Sequence, residues 1–350
     1  MIRKLLFVPL AAMAILFLGN CMKQVSMNSM RPAEITLPSH VNKVILVNRT
    51  KFDMKGVNIL EGLLTGELPG ADQSAAEAAL STFQNTLLQS PRYEVVRYPE
   101  LLVGNSITAA FPKALDWNML ERIASDTKAD AVIAVEMFDT DFIVTNGSKK
   151  VKKEISDNGT KREVEVTQFT AEGIGNVKIG FRIYDLKSRS IIDEQLFSKT
   201  NTWNASGDSP TQAAQALISK TEAARYVSQR AANDFAYKIA PMPVRITREF
   251  YVKAKDVQAM TLASRKAEVN DWTGAIKVWK QALEKTPSTK SSGKLAYNIA
   301  VGYEVIGEMQ LAKEWAQKAY VNYGNKKGQF YVNVLERRML DEERVMQQMQ

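Results

Sequence analysis

The sequence predicts an α+β protein, in which an N-terminal α/β sandwich (a mixed sheet with packed helices) is followed by an all-α domain. Between residues 41 and 252, short apolar runs rich in β-branched residues alternate with helical patterns. From 253 to 350 the apolar spacing is helical throughout. Ahead of both domains, residues 1–20 have the layout of a secretory signal, and residues 21–40 are polar and irregular, which predicts a flexible tether.

The first segment predicts a lipid anchor. Arg3 and Lys4 precede an apolar run, residues 5–18, that is too short to span a membrane, and the only cysteine, Cys21, follows it. This layout resembles a bacterial lipoprotein signal, which implies that Cys21 becomes the first residue and carries acyl chains. Asn20 departs from the small residue usual there, so an uncleaved anchor or an ordinary signal peptide stays open. Lipoproteins of this type that reach the cell surface often carry acidic residues just after the cysteine. No acidic cluster follows Cys21, so the resemblance leads us to expect attachment to the outer membrane, facing the periplasm.

Composition excludes several classes of chemistry. The chain has 350 residues, 45% hydrophobic and 24% charged, which is typical of a soluble globular protein. Its net charge is +8, but only residues 149–153 form a dense basic run, so we predict a generic basic surface and no nucleic-acid partner. With one cysteine and one histidine, His40, no disulfide, thiolate zinc site or cysteine nucleophile is expected beyond Cys21. No cofactor and no metal is predicted, and His40 is interpreted as a surface or capping residue.

The first elements of the α/β domain follow in order. Residues 42–50 form an apolar run typical of a buried strand. The glycine-bearing loop 51–73 exceeds the usual length of about 12–15 residues, which predicts a functional or mobile loop. Ser74 and Glu77 have the spacing of a capping box that opens a helix. Residues 93–98 then predict a second strand.

A third strand, predicted over 129–138, is apolar on both faces and therefore belongs in the middle of the sheet. It follows a helix predicted over 116–127. Glu136 is its one acidic residue, and with Asp139 and Asp141 it forms an acidic cluster. Such a cluster could hold a divalent cation or do acid–base work. Because a period of two sends Glu136 to the face opposite both aspartates, we interpret the cluster as a solvated strand end.

The rest of this domain is predicted to be a β-meander with a covering helix. Asn158-Gly159 is a hairpin signal, and residues 177–184 alternate between apolar and polar, which predicts one wet face. Ser209-Pro210 predicts the start of one long, alanine-rich helix over 210–239. Residues 244–252 predict a closing strand.

The order β-α-β-α-β-β-β-α, with the strand Ala-Asp-Ala-Val-Ile-Ala-Val at 129–135 and the turn Ile-Tyr-Asp-Leu-Lys-Ser at 183–188, resembles a known periplasmic domain. It is the α/β domain of the TolB amino-terminal, penicillin-binding-protein-activator and curli-secretion lipoprotein group, and the resemblance covers about 41–250. It implies a fold and a location, and no activity.

The C-terminal domain contains a repeat. Aligning Ala275 with Ala312 pairs Trp272 with Met309 and gives a repeat length of 37 residues. Residues 295–319 follow the tetratricopeptide (TPR) pattern, in which small residues allow close helix pairing, and 328–349 would be a capping helix. The whole chain, with its lipoprotein signal, α/β domain and repeats, resembles a family of uncharacterised Bacteroidota lipoproteins.

The TPR resemblance implies a concave groove for a partner. By the family's groove positions, its lining would be Lys294, Tyr297, Asn298, Val301 and Glu304. Asn298 matches an asparagine that some members use to hold a peptide carboxylate, but Met260 and Ser264 stand where cationic partners would be expected. The alternative, that these residues only build the helical stack, stays open.

Three functions compete. The first is a non-enzymatic scaffold or adaptor, anchored to the membrane through Cys21, that binds envelope proteins through the groove and the loop 56–70. The second is a subunit of an oligomeric secretion or pore assembly, a homo-oligomer included, that uses hairpins from 149–204. The lysine-rich run in that region offers no apolar face to lipid. The third is a hydrolase that uses Glu136, Asp139 or Asp141. We expect the first, and no enzymatic activity.

Overall fold

The structure is a computed structural model that describes residues 22–52, 71–105, 111–157 and 160–350. The predicted signal, Cys21, the loop 56–70 and the turn Asn158-Gly159 lie outside the described residues. The chain divides into two compact units. An α/β unit comprises Met30–Pro243 with Arg344–Gln350, and a helical unit comprises Val244–Glu343 with the segment that ends at Ser29.

The α/β unit is built on one five-stranded mixed sheet, as predicted. Its strands are β2 (Lys43–Phe52), β3 (Glu94–Asn105), β4 (Ala131–Asp157), β5 (Thr160–Asp185) and β6 (Ser190–Gly207), in the order β3-β2-β4-β5-β6. β2 runs parallel to β3 and β4, whereas β5 is antiparallel to β4 and β6. The central position of β4 is the one that its two apolar faces predict.

Helices cover both faces of this sheet. They are α1 (Ala71–Leu87), α2 (Trp117–Ser125), α3 (Pro210–Gln215) and α4 (Lys220–Ile239). One core packs α1 and α4 against the sheet, around the stacked rings of Phe83, Phe181 and Phe235. The other core packs α2 against Ile45, Val132 and neighbouring residues. Arg182 and Tyr184 are buried in or beside this second core. The prediction of a solvent-exposed face for the meander is therefore wrong at this end of β5.

Two helix starts differ from the predictions. α1 begins at Ala71, so Ser74 and Glu77 lie inside the helix and do not cap it. The predicted helix 210–239 is two helices, because Ser219 and Glu222 form a capping box that starts α4. The Ser-x-x-Glu spacing at 219–222 is a helix-start signal within the run that was predicted to be continuous.

A β-bulge in β4 changes which side chains share a face. The register with β5 shifts between Val135 and Met137, so Glu136 is the extra residue. Val135 and Phe138 consequently join the same core, although a strict period of two would separate them. Beyond the bulge, Asp139 lies opposite Lys178.

The helical unit contains five helices among the described residues. They are α5 (Gln258–Glu268), α6 (Trp272–Lys285), α7 (Thr289–Val305), α8 (Met309–Val321) and α9 (Lys326–Gln348), the last of which continues past the boundary of the unit. Turns of three residues join α5 to α6, α6 to α7 and α7 to α8. Trp279, Ala275 and Ala312 lie in the shared core. The predicted all-α character after the sheet domain is confirmed.

The prediction of a flexible tether is wrong for residues 22–31. These residues form β1 (Met22–Arg31), which pairs with β7 (Met242–Tyr251) in a separate two-stranded sheet. Met22 and Val25 pack against the helical core, which explains why this polar stretch is ordered. β7 therefore does not close the main sheet, and most of it belongs to the helical unit.

Candidate functional site

Asn298 lies at the centre of the predicted groove and is fully buried. Its Oδ1 accepts the backbone N–H of Tyr251 at 2.7 Å, and its Nδ2 donates to the Tyr251 carbonyl at 2.6 Å. Ser264 Oγ also donates to this carbonyl, at 3.3 Å. A side-chain amide that binds both backbone groups of one residue recognises extended chain without regard to sequence. Here the extended chain is the end of β7.

Glu304, also fully buried, binds the same strand through charge. Arg248 of β7 donates through Nε and Nη2 to its two carboxylate oxygens, at 2.8 and 2.9 Å. Arg338 Nη1 of α9 donates to Oε1 at 2.7 Å, and the Tyr331 hydroxyl donates to Oε2. A buried carboxylate requires such partners, because an unpaired charge in the interior is very costly.

The titration of this cluster follows from burial. Burial by itself lowers the pKa of Arg248, but hydrogen bonding to Glu304 and its charge outweigh this effect and raise it. The pKa of Tyr331 is raised well above its ordinary value by burial and by the charge of Glu304. Both groups therefore keep their protons over the physiological range, so Arg248 stays charged and the Tyr331 hydroxyl stays a hydrogen-bond donor.

The other three predicted groove residues lie around the same strand. Tyr297 and Val301 are buried, and the Tyr297 ring stands edge-on to Tyr251 at 5.6 Å between centroids. Lys294 is half-buried, with its Nζ 5.1 Å from the centre of the Tyr251 ring. Four of the five predicted residues, all except Val301, therefore contact β7 of the same chain. Their role in binding a partner stays a prediction.

The acidic cluster of β4 is not a solvated strand end. Glu136 has no exposed side-chain surface. Arg49 Nη1 donates to its Oε2 at 2.5 Å, the Tyr184 hydroxyl donates to Oε1, and Arg182 Nη1 lies 3.3 Å from Oε1. Because the bulge restores a common face, the parity that separated Glu136 from Asp139 does not hold. Glu136 is paired with two arginines, Arg49 and Arg182.

This second network fastens a connecting segment to the sheet. Arg49 donates to the carbonyls of Val103 and Lys113, Arg182 donates to the Pro112 carbonyl at 3.2 Å, and the Leu115 N–H donates to the Tyr184 hydroxyl at 3.1 Å. Burial, followed by the charge of Glu136, raises the pKa of Tyr184 to about 12. The arrangement holds the backbone at 112–115 in place.

An exposed β-hairpin extends beyond the five-stranded sheet. β4 and β5 stay paired as far as Asp157 and Thr160, the residues on either side of the predicted turn. β6 pairs with β5 only up to Phe169. Residues 149–157 and 160–168 therefore form a two-stranded ribbon, to which no third described strand pairs. We call this ribbon the arm.

The two faces of the arm differ. On one face, three ion pairs cross the strands diagonally: Lys150–Glu165 at 2.9 Å, Lys152–Glu163 at 3.3 Å and Lys161–Glu154 at 2.9 Å. On the other face Val151 lies opposite Val166, but Val164 lies opposite Lys153, and Lys149 and Arg162 also stand on this face. These valines are half-buried, whereas the charged residues of the first face are exposed. One face of the arm is therefore charged or polar throughout, whereas on the other face, which we call the valine face, the valines alternate with exposed cations.

The arginines of both networks could not be assigned from the sequence. Arg49, Arg182 and Arg248 lie within strands, and the local sequence pattern does not show whether a cation there is buried. Arg338 lies in a helix with an ordinary spacing of polar and apolar residues, which does not distinguish it from the other arginines there. Among the described residues, no group of three or more His, Cys, Asp and Glu side chains could hold a metal ion. No described helix is long and apolar enough to cross a membrane.

Three of the solved structures that match this chain are each 12% identical to it. A dodecameric PelC variant from Paraburkholderia phytofirmans matches with TM-score 0.25, covering 60% of this chain and 96% of its own. A putative neuraminyllactose-binding hemagglutinin homolog from Helicobacter pylori gives 0.24 (57% and 82%), and the hypothetical protein CT253 from Chlamydia trachomatis gives 0.20 (55% and 92%). TM-scores this low support no inference about ligands or assembly.

No curated protein matches the chain. Two family models do. The model described as Domain of unknown function (DUF6340) matches residues 261–337, within the helical region. The model described as Domain of unknown function (DUF8603) matches residues 41–251, more than half of the chain. The chain therefore belongs to the DUF8603 family.

Proposed function

We propose that this chain is a lipid-anchored, non-enzymatic scaffold on the periplasmic side of the outer membrane, which binds proteins of the cell envelope through the arm. The observation on which this rests is the projection of the arm beyond the five-stranded sheet, with three half-buried valines on one of its faces.

The physics of a two-stranded ribbon supports an interaction role for the arm. An isolated hairpin is at best marginally stable in water. The backbone ladder between β4 and β5 holds the ribbon together, and the three exposed ion pairs and the valine pair add to it only modestly. A protein that covered the valine face, or that paired with an open edge of the ribbon, would bury apolar surface and satisfy backbone groups.

The groove is the less favourable binding surface, because the chain's own segments already fill it. A partner that displaced β7 would remove Arg248 from Glu304 and leave the carboxylate short of a partner in the interior. Breaking a buried ion pair in this way typically costs about 3–5 kcal/mol. The TPR-like face is accordingly proposed to fix β7, and the partner role moves from the groove to the arm.

The anchor part of the proposal rests on the N-terminal layout. An apolar run of secretory length ends just before Cys21, and two or three acyl chains on that residue would give stable attachment. We assign no catalytic role, because the best acid–base candidate, Glu136, is buried between Arg49 and Arg182.

A second candidate is a subunit of an oligomeric envelope assembly. The same arm favours it, since two copies of the ribbon could cover each other's valines or pair edge to edge. In this case the protein recovered on the arm would be another copy of the chain.

The test is in-cell cross-linking with mass spectrometry. We would compare the native chain, Cys21→Ser and the variant Val164→Glu/Val166→Glu. The matched control is Thr167→Glu, which adds one charge to the ion-paired face. We expect the native chain and the control to recover the same protein partner. Loss of that partner is expected from the double variant, because carboxylates on the valine face oppose its burial.

Cys21→Ser tests the anchor separately, by release of the protein from the membrane fraction. Recovery of the same partners by the native chain and the double variant would contradict binding through the arm. A native chain that is found free in solution with residue 21 unacylated would contradict the anchor.

A further inference from the structure

A bulge in β3 adjoins a cavity at the start of α1. In the register of β2 with β3, Leu46 pairs with Arg97. Two residues further along β2, Asn48 pairs with Leu101, which lies four residues beyond Arg97, so β3 has two extra residues here. The stretch includes Pro99, which has no N–H to donate to the neighbouring strand. The cavity has a volume of about 370 Å³, within the usual range of small-molecule sites, about 300–1,000 Å³.

Asn48 lines this cavity with an unused hydrogen-bond donor. The residue is only 5% exposed. Its Oδ1 accepts the N–H of Thr50 at 3.0 Å and the hydroxyl of the same residue at 2.8 Å, which fixes the orientation of the amide. Among the described residues, none accepts a hydrogen bond from Asn48 Nδ2. Because a buried N–H group without an acceptor is costly, this position calls for an oxygen atom of a bound molecule.

A second cavity, of about 420 Å³, adjoins the first along α1. It shares Ser74 and Glu77 with the first cavity and reaches α4. The rest of its polar lining consists of hydroxyl and amide side chains with one arginine, namely Ser81, Thr82, Asn85, Arg225 and Gln229. We call the two cavities together the α1 trough. Its length favours an elongated ligand.

The charged residues in the described lining of the α1 trough balance. The cations are Arg97 and Arg225, and the carboxylates are Glu77 and Glu100. Arg97 Nη2 donates to Glu77 Oε1, so these two charges already satisfy each other. A ligand of either charge would therefore meet a residue of its own sign without a free counterion in return.

Charged residues beside the lining do not change this balance. α1 has one other charged residue, Asp72, in its first turn. On α4, Glu222 comes one turn before Arg225, and Arg230 follows Gln229, so this helix adds one residue of each sign. The surroundings thus disfavour an anion slightly and do not favour a cation strongly. Hydroxyl and amide groups, which both donate and accept, match the lining best.

We propose that the α1 trough binds a neutral oligosaccharide. Ring, hydroxyl or acetamido oxygens of a sugar would accept from Asn48 Nδ2, and its hydroxyl groups would donate to Glu77 and Glu100. Pro99 and Leu101 supply apolar surface for the C–H faces of the rings. The trough contains no residue of the arm, so the inference is independent of the proposed function.

The experiment titrates the full chain, held in detergent micelles, with two neutral trisaccharides, maltotriose and triacetylchitotriose, by calorimetry. The charged counterparts are trigalacturonate, which is anionic, and chitotriose without its acetyl groups, which is cationic. We expect a neutral trisaccharide to bind at least about tenfold more tightly than either charged one. Failure of both neutral trisaccharides to bind, or equal affinity for a charged one, would overturn the inference.

Two variants locate the site. Asn48→Asp keeps an oxygen that accepts from Thr50 but removes both Nδ2 N–H groups, so we expect about tenfold weaker binding. Ser74→Trp leaves Asn48 intact and should abolish binding, because the ring fills the point that the two cavities share. The matched control is Ser125→Trp, since Ser125 is also an exposed helical serine but lies on α2, outside the trough.

Unchanged affinity in Ser74→Trp would place the sugar on another surface and overturn the inference, and so would an equal loss in Ser125→Trp. Unchanged affinity in Asn48→Asp would also contradict it, because the unused amide donor is the group on which it rests.

Discussion

Each of the two units buries one carboxylate, and comparing them shows which part of the chain each carboxylate holds in place. Glu136 and Glu304 both have no exposed side-chain surface, and each binds two arginines and one tyrosine. The sets are Arg49, Arg182 and Tyr184 around Glu136, and Arg248, Arg338 and Tyr331 around Glu304. Buried carboxylates with perturbed neighbours are candidates for catalysis, and each of these two is paired with cations that also hold other parts of the chain.

The difference lies in what each network fastens. The partners of Glu136 stand on strands of the main sheet, and their other hydrogen bonds hold the backbone at 112–115. The partners of Glu304 stand on β7 and α9, so its network holds the segments that cover the groove. One network thus secures a connection at the edge of a core, and the other closes a surface that would otherwise be open.

The largest effect is expected from Glu304→Ala. This change leaves Arg248 and Arg338 without their carboxylate in the interior, which should lower the free energy of unfolding of the helical unit by about 3–5 kcal/mol. Urea unfolding followed by tryptophan fluorescence measures it. The control is the exposed Glu308→Ala, expected within about 0.5 kcal/mol of the native value. Equal stability of the two variants would show that the network does not hold the groove closed.

Glu136→Gln should act on the α/β unit alone. The amide keeps the shape and some hydrogen bonds, but Arg49 and Arg182 lose the opposing charge, so we expect a loss of about 3 kcal/mol. The unfolding transition of the helical unit should not move. Asp141→Asn, an exposed carboxylate on the same strand, is the control. A loss of stability in both units would contradict the separate roles of the two networks.

Asn298→Ala sharpens the comparison, because it removes an uncharged fastening of β7. The Tyr251 N–H and carbonyl lose bonds of 2.7 and 2.6 Å. We expect a loss of about 2 kcal/mol and faster hydrogen exchange at the Tyr251 amide. Asn322→Ala, at the exposed C-cap of α8, should leave that exchange rate unchanged. Unchanged exchange in Asn298→Ala would mean that β7 is held by Glu304 alone.

Asp185 gives the smallest effect and a third kind of carboxylate, fastened without arginine. Burial opposes ionisation, but hydrogen bonds from His40, Ser188 and the Lys187 N–H outweigh it and hold the pKa of Asp185 below its usual value. A lowered folded pKa stabilises the fold at pH values above the unfolded value of about 3.9. This stabilisation is lost as the pH falls through the lower folded value.

Asp185→Asn should accordingly be less stable than the native chain at pH 7 by about 1 kcal/mol, and the difference should shrink at pH 3. Melting temperatures at the two pH values measure it. A difference that grows on acidification would contradict the sign of the shift.

Much of the sheet could be predicted from local pattern. The runs at 42–50 and 129–138 are apolar enough to identify buried strands, and β2 and β4 are found there. The bulge at Glu136 could not be predicted, because one extra residue leaves no mark in composition yet reverses every later side chain. The split at Ser219 could have been read from its capping box.

The candidate site shows the same limit. The repeat spacing selects five residues that all lie on α7, and a helical period determines which of them share a face. What covers that face depends on β7 and α9, whose contacts are not local in sequence. β1 is likewise an ordered strand because it packs against the helical core. Its polar composition by itself predicts a flexible tether.

The most direct test places a photo-reactive residue at Val164 on the arm or at Lys294 on the rim of the groove, in living cells. Lys294 is chosen because it is the least buried of the five groove residues. We predict cross-links to another protein from position 164, and only cross-links within the chain, to β7, from position 294. Cross-links to a partner from position 294, with none from 164, would contradict the proposal and return the partner site to the groove.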